Sequence, residues 1–250
     1  MKTINVCLGV WAVGGAERGY QRVADKLPEY NWLFTTRVDP SSNLVIYSNG
    51  HEFYEQARTA GIPAILRVTG PRSHTLPQPD DLSAVICSSK KSYKKSMHKN
   101  KHLIYNGIDL EMIDKIEPIE CDLLYGCARI GIGQRVEKAI SYAIKNDRHL
   151  TVTGERQHVT ENVYDLLRYK YPQVCWTGLL DEKTMLSYVK GCKEGIMPTP
   201  IHGISNFIIE LTACDKPLIN LGGVETVDKT DIDINVTAQK YKELIEEHAK

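Results

Sequence analysis

Several absences narrow the reading of this chain. Across its 250 residues Lys+Arg and Asp+Glu balance at 31 each, so whole-chain charge leaves no footprint for nucleic acid or an anionic membrane. No apolar run approaches the roughly 18 residues of a membrane span. The first residues, MKTINVCLGVWAVGG, have a short apolar segment without leader architecture; they are expected as a first strand, in a cytoplasmic protein. Seven cysteines form no CxxC pair. Cys121 and Cys127, the nearest two, fit neither a zinc site nor a disulfide framework, and reduced, buried thiols are expected. Neither GxGxxG nor a P-loop is present.

What is present has an ordinary globular balance, 42% hydrophobic and 25% charged. Short apolar runs alternate with helical stretches, which predicts a doubly wound parallel α/β fold. Strands are expected at Ile4–Val10, Asn43–Ser48, Ala64–Val68 and Ala84–Ser88, with helices at Ala16–Leu27 and Phe53–Ala60 and a basic helix after Ser88. Beyond the turn-rich Asn106-Gly107-Ile108-Asp109, strands are expected at Asp122–Tyr125, His149–Thr153, Val174–Thr177, Glu194–Met197 and Pro217–Asn220. Helices Arg135–Lys145, Asn162–Tyr169, Glu182–Gly191 and Phe207–Cys214 fall between them. Thr237–Lys250 reads as an amphipathic helix with Tyr241, Leu244, Ile245 and His248 near one face. The expected division is 1–106, 107–235 and a C-terminal helix, 236–250, packing back on the first domain. Ligands of such folds bind at the carboxyl ends of strands, which directs attention to the turns there.

Three turns can carry chemistry. Gly14-Gly15 sits between a strand and a helix, where backbone can approach a ligand and free N–H groups favour an anion; a plain strand–helix turn fits as well. Arg129, at an expected strand end, precedes Gly131 and Gly133, and its planar fork suits a diphosphate; a solvated surface arginine is the alternative. Gly203-Ile204-Ser205-Asn206 leads into the run FIIELTAC, where Ser205 or Asn206 can cap the helix and its first N–H groups can hold a phosphate. Glu210 lies one turn further on, alone among apolar residues. There it can accept two hydrogen bonds from a ribose diol, or pair internally with a cation.

In this order the segments resemble the GT-B glycosyltransferases, especially the retaining family 4. GGAER (Gly14–Arg18), AVICSSKKSYKKSM with HLIYNGID (Ala84–Asp109), Arg129, LTVTGE (Leu150–Glu155), VCWTGLL (Val174–Leu180) and PTPIHGISNFIIELTACDKPLI are similar to that family's motifs over roughly residues 4–225. The resemblance implies two Rossmann-like parallel-sheet domains facing across a cleft, and a metal-independent retaining transfer from a GDP- or UDP-sugar to a glycan or other hydroxyl acceptor. No cofactor beyond that donor is expected, and no nucleic-acid partner. Glu210 would take the ribose. The turn Gly203, Ile204, Ser205, Asn206 would offer amides to the diphosphate, Arg129 would offset charge on the departing nucleotide, and Thr177, Gly178 and Leu179 would hold the base edge. Gly14, Gly15 and Arg135 complete the expected donor contacts. The chain departs from the pattern at His202, where the family has its first motif Glu near the sugar, so that His202 joins Arg129 as a catalytic candidate. It departs again at Gln134, in a Lys position, and at Thr69, in an active-site His position with His74 nearby. Its compactness resembles virus- or phage-encoded versions. An epimerase or hydrolase on the same fold, or a non-catalytic nucleotide-sugar binder, fits the same donor features.

Remaining features are less specific. The run KKSYKKSMHKNKH, Lys90–His102, can steer an anionic acceptor, a glycan phosphate or a membrane surface, though such a run is more often the solvated face of a helix. His51 and Glu52 fit an acceptor site or a helix cap. Trp176 fits a nucleobase contact or a core position.

Overall fold

The computed structural model describes residues 1–8, 15–48, 50–68, 77–130, 135–156, 162–199 and 204–249. One unit draws on Met1–Asp109, His202–Ile204 and Asp228–Lys250, a second on Leu110–Ile201 and Ser205–Val227. In the first, β1 (Thr3–Cys7), β2 (Asn31–Thr35), β3 (Leu44–Tyr47), β4 (Ala64–Val68), β5 (Ala84–Cys87) and β6 (Lys101–Leu103) form one sheet, ordered β2-β1-β3-β4-β5-β6. Helices α1 (Gly15–Lys26), α2 (Glu52–Thr59) and α3 (Lys90–Lys95) lie between its strands in sequence. The second unit begins with α4 (Leu110–Asp114). Then β7 (Cys121–Ile130), α5 (Val136–Lys145), β8 (Leu150–Arg156), α6 (Val163–Lys170), β9 (Cys175–Gly178), α7 (Glu182–Gly191), β10 (Cys192–Met197), α8 (Asn206–Ala213) and β11 (Leu218–Asn220) follow. Its sheet is ordered β11-β10-β7-β8-β9. All these pairings are parallel. The chain ends in α9 (Ile234–His248), back in the first unit. Among the described residues no helix is long and apolar enough to cross a membrane.

Burial of both sheet faces explains why the strands read as continuous apolar runs rather than alternating ones. In the first unit Ile4, Val6, Leu44, Ile46, Ile65, Ala84 and Ile86 join the core with Tyr20 of α1 and Ile234, Ala238, Tyr241, Leu244 and Ile245 of α9. Cys7, Val45, Tyr47, Leu66, Val85 and Cys87 face the other way, with Phe53, Tyr54 and Ala57 of α2. One charge breaks the first apolar face. Arg67, on β4, is 1% exposed. Its guanidinium lies 4.5 Å from the Tyr20 ring centre and 5.9 Å from that of Tyr241, and Nη2 donates to Asn106 Oδ1. Two electron-rich ring faces thus take part of the role of a counter-ion, and they tie α1, β4 and α9 at one point.

The structure corrects several expectations. Asn31–Thr35 is a strand that the sequence pattern did not flag, being half-buried throughout with no alternation. It is held by buried Asn5, whose Nδ2 donates to Thr35 Oγ1 at 2.7 Å and to Leu33 O at 3.3 Å. The basic run is not one helix: α3 ends at Lys95, and Lys101 and His102 belong to β6. β7 and β8 run several residues beyond their expected ends. The seven thiols are outside disulfides, but only Cys7, Cys87 and Cys192 are buried; Cys121, Cys127 and Cys214 are half-buried and Cys175 is exposed. Of the others, Cys127 is pushed up to about 12 by burial.

At the amino ends of the second sheet, Arg148 grips Asp122 with two hydrogen bonds (2.7 and 2.8 Å) and donates a third to Glu194 at 2.9 Å. The hydrogen bonds from Arg148 hold the Asp122 carboxyl down at about 2, and the His149 N–H adds to them. The folded-state pKa therefore lies below the unfolded value. The stabilisation is complete above about pH 4 and lost as pH falls toward 2. In urea titrations Asp122→Asn should flatten that part of the stability–pH profile relative to wild type. A second test concerns Tyr241, whose hydroxyl has no hydrogen-bond partner among the described residues. Tyr241→Phe keeps the ring over Arg67 and should change stability by less than about 1 kcal/mol, whereas Tyr241→Ala should cost about 3–5 kcal/mol.

Candidate functional site

Parallel strands all end at the same rim of a sheet, so segments far apart in sequence meet there. In the second unit that rim receives the ends of β7, β8, β9 and β10 and the start of α8. Helix α8 begins at Asn206 because Ser205, extended at φ −74 and ψ 153, caps it: its Oγ accepts from Ile208 N at 3.3 Å. Two glycines set how closely the helix lies. A Cβ on Gly126 of β7 would stand 2.4 Å from the Phe207 ring, and one on Gly195 of β10 would stand 2.2 Å from Leu211. Side chains of α8 rest on bare strand backbone there, which lets the helix lie close to the sheet. Ile204, just before the cap, is buried.

Glu210 is 3% exposed, one turn into α8, and its neighbours Phe207, Ile208, Ile209, Leu211 and Ala213 are buried with it. A carboxylate in such a setting is stable only when hydrogen bonds or a cation meet it.

Arg129 does not follow its strand, as the sequence suggests; it lies inside β7, where its backbone is in register with Glu155 of β8. The extension is made possible by a register shift between Gly126 and Arg129. Opposite that shift Gly154 adopts φ +115, and a Cβ there would come within 2.4 Å of the Cys127 carbonyl oxygen. Arg135 is exposed and precedes α5 with φ 49, a left-handed conformation uncommon outside glycine, so α5 starts at Val136 rather than at Arg135. Thr177 and Gly178 end β9, with Gly178 at φ +77, and Leu179 beyond them is exposed. Gly15 opens α1 at the corresponding rim of the first sheet. Gly14, His202 and Gly203 lie outside the described residues, as do Thr69, His74 and Gln134.

Sequence reasoning did not mark one further feature of the second unit. A wide-open depression of about 440 Å³ is lined by Glu137, Lys138 and Ser141 of α5 and by Leu221 beyond β11. Nothing in the residue types announces it, since a charged first helical turn is commonplace. Two other candidates are half-buried against neighbouring rings. Trp176 packs edge-on against Tyr164 at 5.7 Å and donates Nε1 to Tyr171 O at 3.4 Å. His51 stacks on Tyr54 at 5.2 Å, with Nε2 3.4 Å from Glu55 Oε1.

No family profile and no curated protein matches the chain by sequence. Solved structures do match. A sucrose-phosphate synthase from Thermosynechococcus elongatus superposes with a TM-score of 0.71 at 12% identity, covering 98% of this chain and 90% of its own. The Anabaena protein HepE, solved with UDP and glucose, gives 0.66 at 13% identity, over 100% and 92%. The fold is that of the GT-B glycosyltransferases. At such identities the likeness is one of fold. The GT-B architecture also extends to the UDP-GlcNAc 2-epimerase of Methanocaldococcus jannaschii, at TM-score 0.55 and 8% identity over 98% and 99% of the two chains.

The β7–β8 register shift has a direct test. Gly154→Ala forces a left-handed alanine against a backbone carbonyl and should destabilise the protein by at least ~2 kcal/mol, measured by chemical denaturation. A loss under about 0.5 kcal/mol would mean that the two strands can re-register without it.

Proposed function

We propose that this protein is a retaining glycosyltransferase that moves a sugar from a nucleoside-diphosphate sugar, GDP- or UDP-linked, to a hydroxyl of a glycan or other acceptor. The observation that carries the reading is Glu210: a buried carboxylate one turn into a helix whose capped N-terminus opens at the carboxyl rim of a parallel sheet. A phosphate at the helix start and a diol one turn along match the layout of a nucleotide. The GT-B fold supports the same reading, and so does the UDP and glucose bound to the Anabaena neighbour.

In this account the backbone N–H groups of the Gly203–Asn206 turn receive the diphosphate and Glu210 accepts from the ribose hydroxyls. Thr177, Gly178 and Leu179 meet the base. The bond between the anomeric carbon and the diphosphate oxygen breaks, and its electrons go to the nucleotide. The acceptor oxygen bonds to that carbon from the same face, and its proton passes to the departing diphosphate oxygen. Arg129, with Arg135 nearby in sequence, offsets the charge gathering on the diphosphate, which is the electrostatic form of leaving-group assistance. His202 takes the sugar-side position, where an imidazole can donate to a hydroxyl or a phosphate oxygen. Gly14 and Gly15 form a second anion-favouring turn at the start of α1. No step in this account requires a metal ion.

A second reading, epimerase or hydrolase, draws support from the epimerase that shares the fold, because fold does not fix reaction. The discriminating experiment uses labelled UDP- and GDP-sugars with and without an acceptor extract. Transfer is expected only with acceptor, and Arg129→Ala should lower it by about 100-fold or more. Glu210→Gln should weaken nucleotide binding by roughly tenfold or more while the protein stays folded. Sugar release without acceptor would favour the hydrolase, and nucleotide binding without any turnover would leave a binding protein.

A further inference from the structure

The lysine-rich segment that sequence alone left open is divided by the structure into two sets. Lys101 and both histidines turn inward. Lys101 Nζ donates to Tyr93 O at 3.1 Å and Ser96 O at 2.8 Å. His98 Nδ1 lies 2.8 Å from Asn100 O, and His102 Nε2 lies 2.7 Å from Asn100 Oδ1. Lys90, Lys91, Lys94, Lys95 and Lys99 are left exposed, and the segment contains no acidic residue.

Met97 stands among them. It is 90% exposed, although its two neighbours are buried, Ser96 at 3% and His98 at 7%. Both neighbours are tied down: Ser96 Oγ donates to Gln78 Oε1 at 2.8 Å, and His98 is held through Asn100, whose Nδ2 donates to Ser83 O at 2.7 Å. An apolar side chain is thus held out in water by a turn anchored on both sides. The turn lies at the amino rim of the first sheet, because Asn100 O accepts from Val85 N as β6 begins. That is the opposite rim of this unit from the one at which β1 leads to Gly15.

We propose that this surface docks on an anionic lipid bilayer, Lys94, Lys95 and Lys99 meeting lipid headgroups and Met97 entering the interface. Charge complementarity alone would also suit a soluble polyanion; the outward methionine selects the membrane, because only a bilayer offers an apolar layer beneath the anionic one. Docking through the amino rim leaves the carboxyl rim of the same sheet uncovered. The inference is independent of which reaction the protein performs.

Flotation of the full chain with lipid vesicles tests it. Vesicles of phosphatidylcholine with about one-third phosphatidylserine should bind roughly tenfold more protein than phosphatidylcholine alone, and about 0.5 M salt should abolish the difference. Lys94→Glu combined with Lys95→Glu should reduce binding by about tenfold or more, and Met97→Asp by roughly threefold or more. All three positions are exposed, so thermal midpoints should not move. A Met97→Trp variant should show blue-shifted emission, as a difference from the parent, on anionic vesicles only. Equal binding to neutral vesicles, or unshifted emission from the introduced indole, would overturn the proposal. So would capture by soluble polyphosphate with no binding to vesicles.

Discussion

Parallel strand pairing is the constraint on which the rest of the structure depends. Because every registered pair in both sheets runs the same way, each sheet has one rim of strand ends and one of strand beginnings. Segments separated by tens of residues then converge without any direct interaction between them. The ends of β7, β8, β9 and β10 and the start of α8 share a rim for this reason alone. At the opposite rim of the second sheet Asp122, Arg148 and Glu194 pin strand beginnings together. Glycine refines the arrangement at two places. Gly126 and Gly195 let α8 lie against the sheet, and Gly154 lets β7 and β8 continue past a shift in register.

Each unit also buries a charge that a purely apolar core would not contain. In the first, Arg67 is surrounded by tyrosine rings and an asparagine, and joins two helices to a strand. Arg67 serves the packing of α1 and α9 by an energetic route that a leucine could not reproduce, since a neutral side chain gains nothing from the ring quadrupoles. In the second, Glu210 lies within a helix of apolar residues at the rim where ligands of parallel α/β folds collect. The two buried charges thus have different surroundings, one sealed by aromatic rings and the other beside a helix start.

Much of the fold was legible because fully buried parallel strands announce themselves as apolar runs. Leu44–Tyr47, Ala64–Val68 and Ala84–Cys87 fall within the expected segments, and Glu182–Gly191 has the expected helix bounds. The edge strands of the first sheet escaped, because Asn31–Thr35 is half-buried and Lys101–Leu103 is disguised by its charges. The ends of β7 and β8 were misread for another reason: Gly126, Cys127 and Gly154 look like a turn, whereas in space they make a register shift. At the candidate site the cap at Ser205 was foreseeable from residue type, since a serine before an apolar helical run accepts from the third residue on. The left-handed backbone of Arg135 was not, because no side-chain preference signals it. The lysine run shows the same limit. Composition counts charges but does not reveal which of them are spent on internal hydrogen bonds, as Lys101 is.

The central claim is that the carboxyl rim of the second sheet holds a nucleoside diphosphate, and a crystal structure grown with UDP or GDP tests it most directly. The diphosphate is expected at the N-terminus of α8 beside Ser205 and Asn206, the ribose hydroxyls against Glu210 and the base beside Thr177–Leu179. A nucleotide bound at another place, or with its ribose away from Glu210, would contradict it.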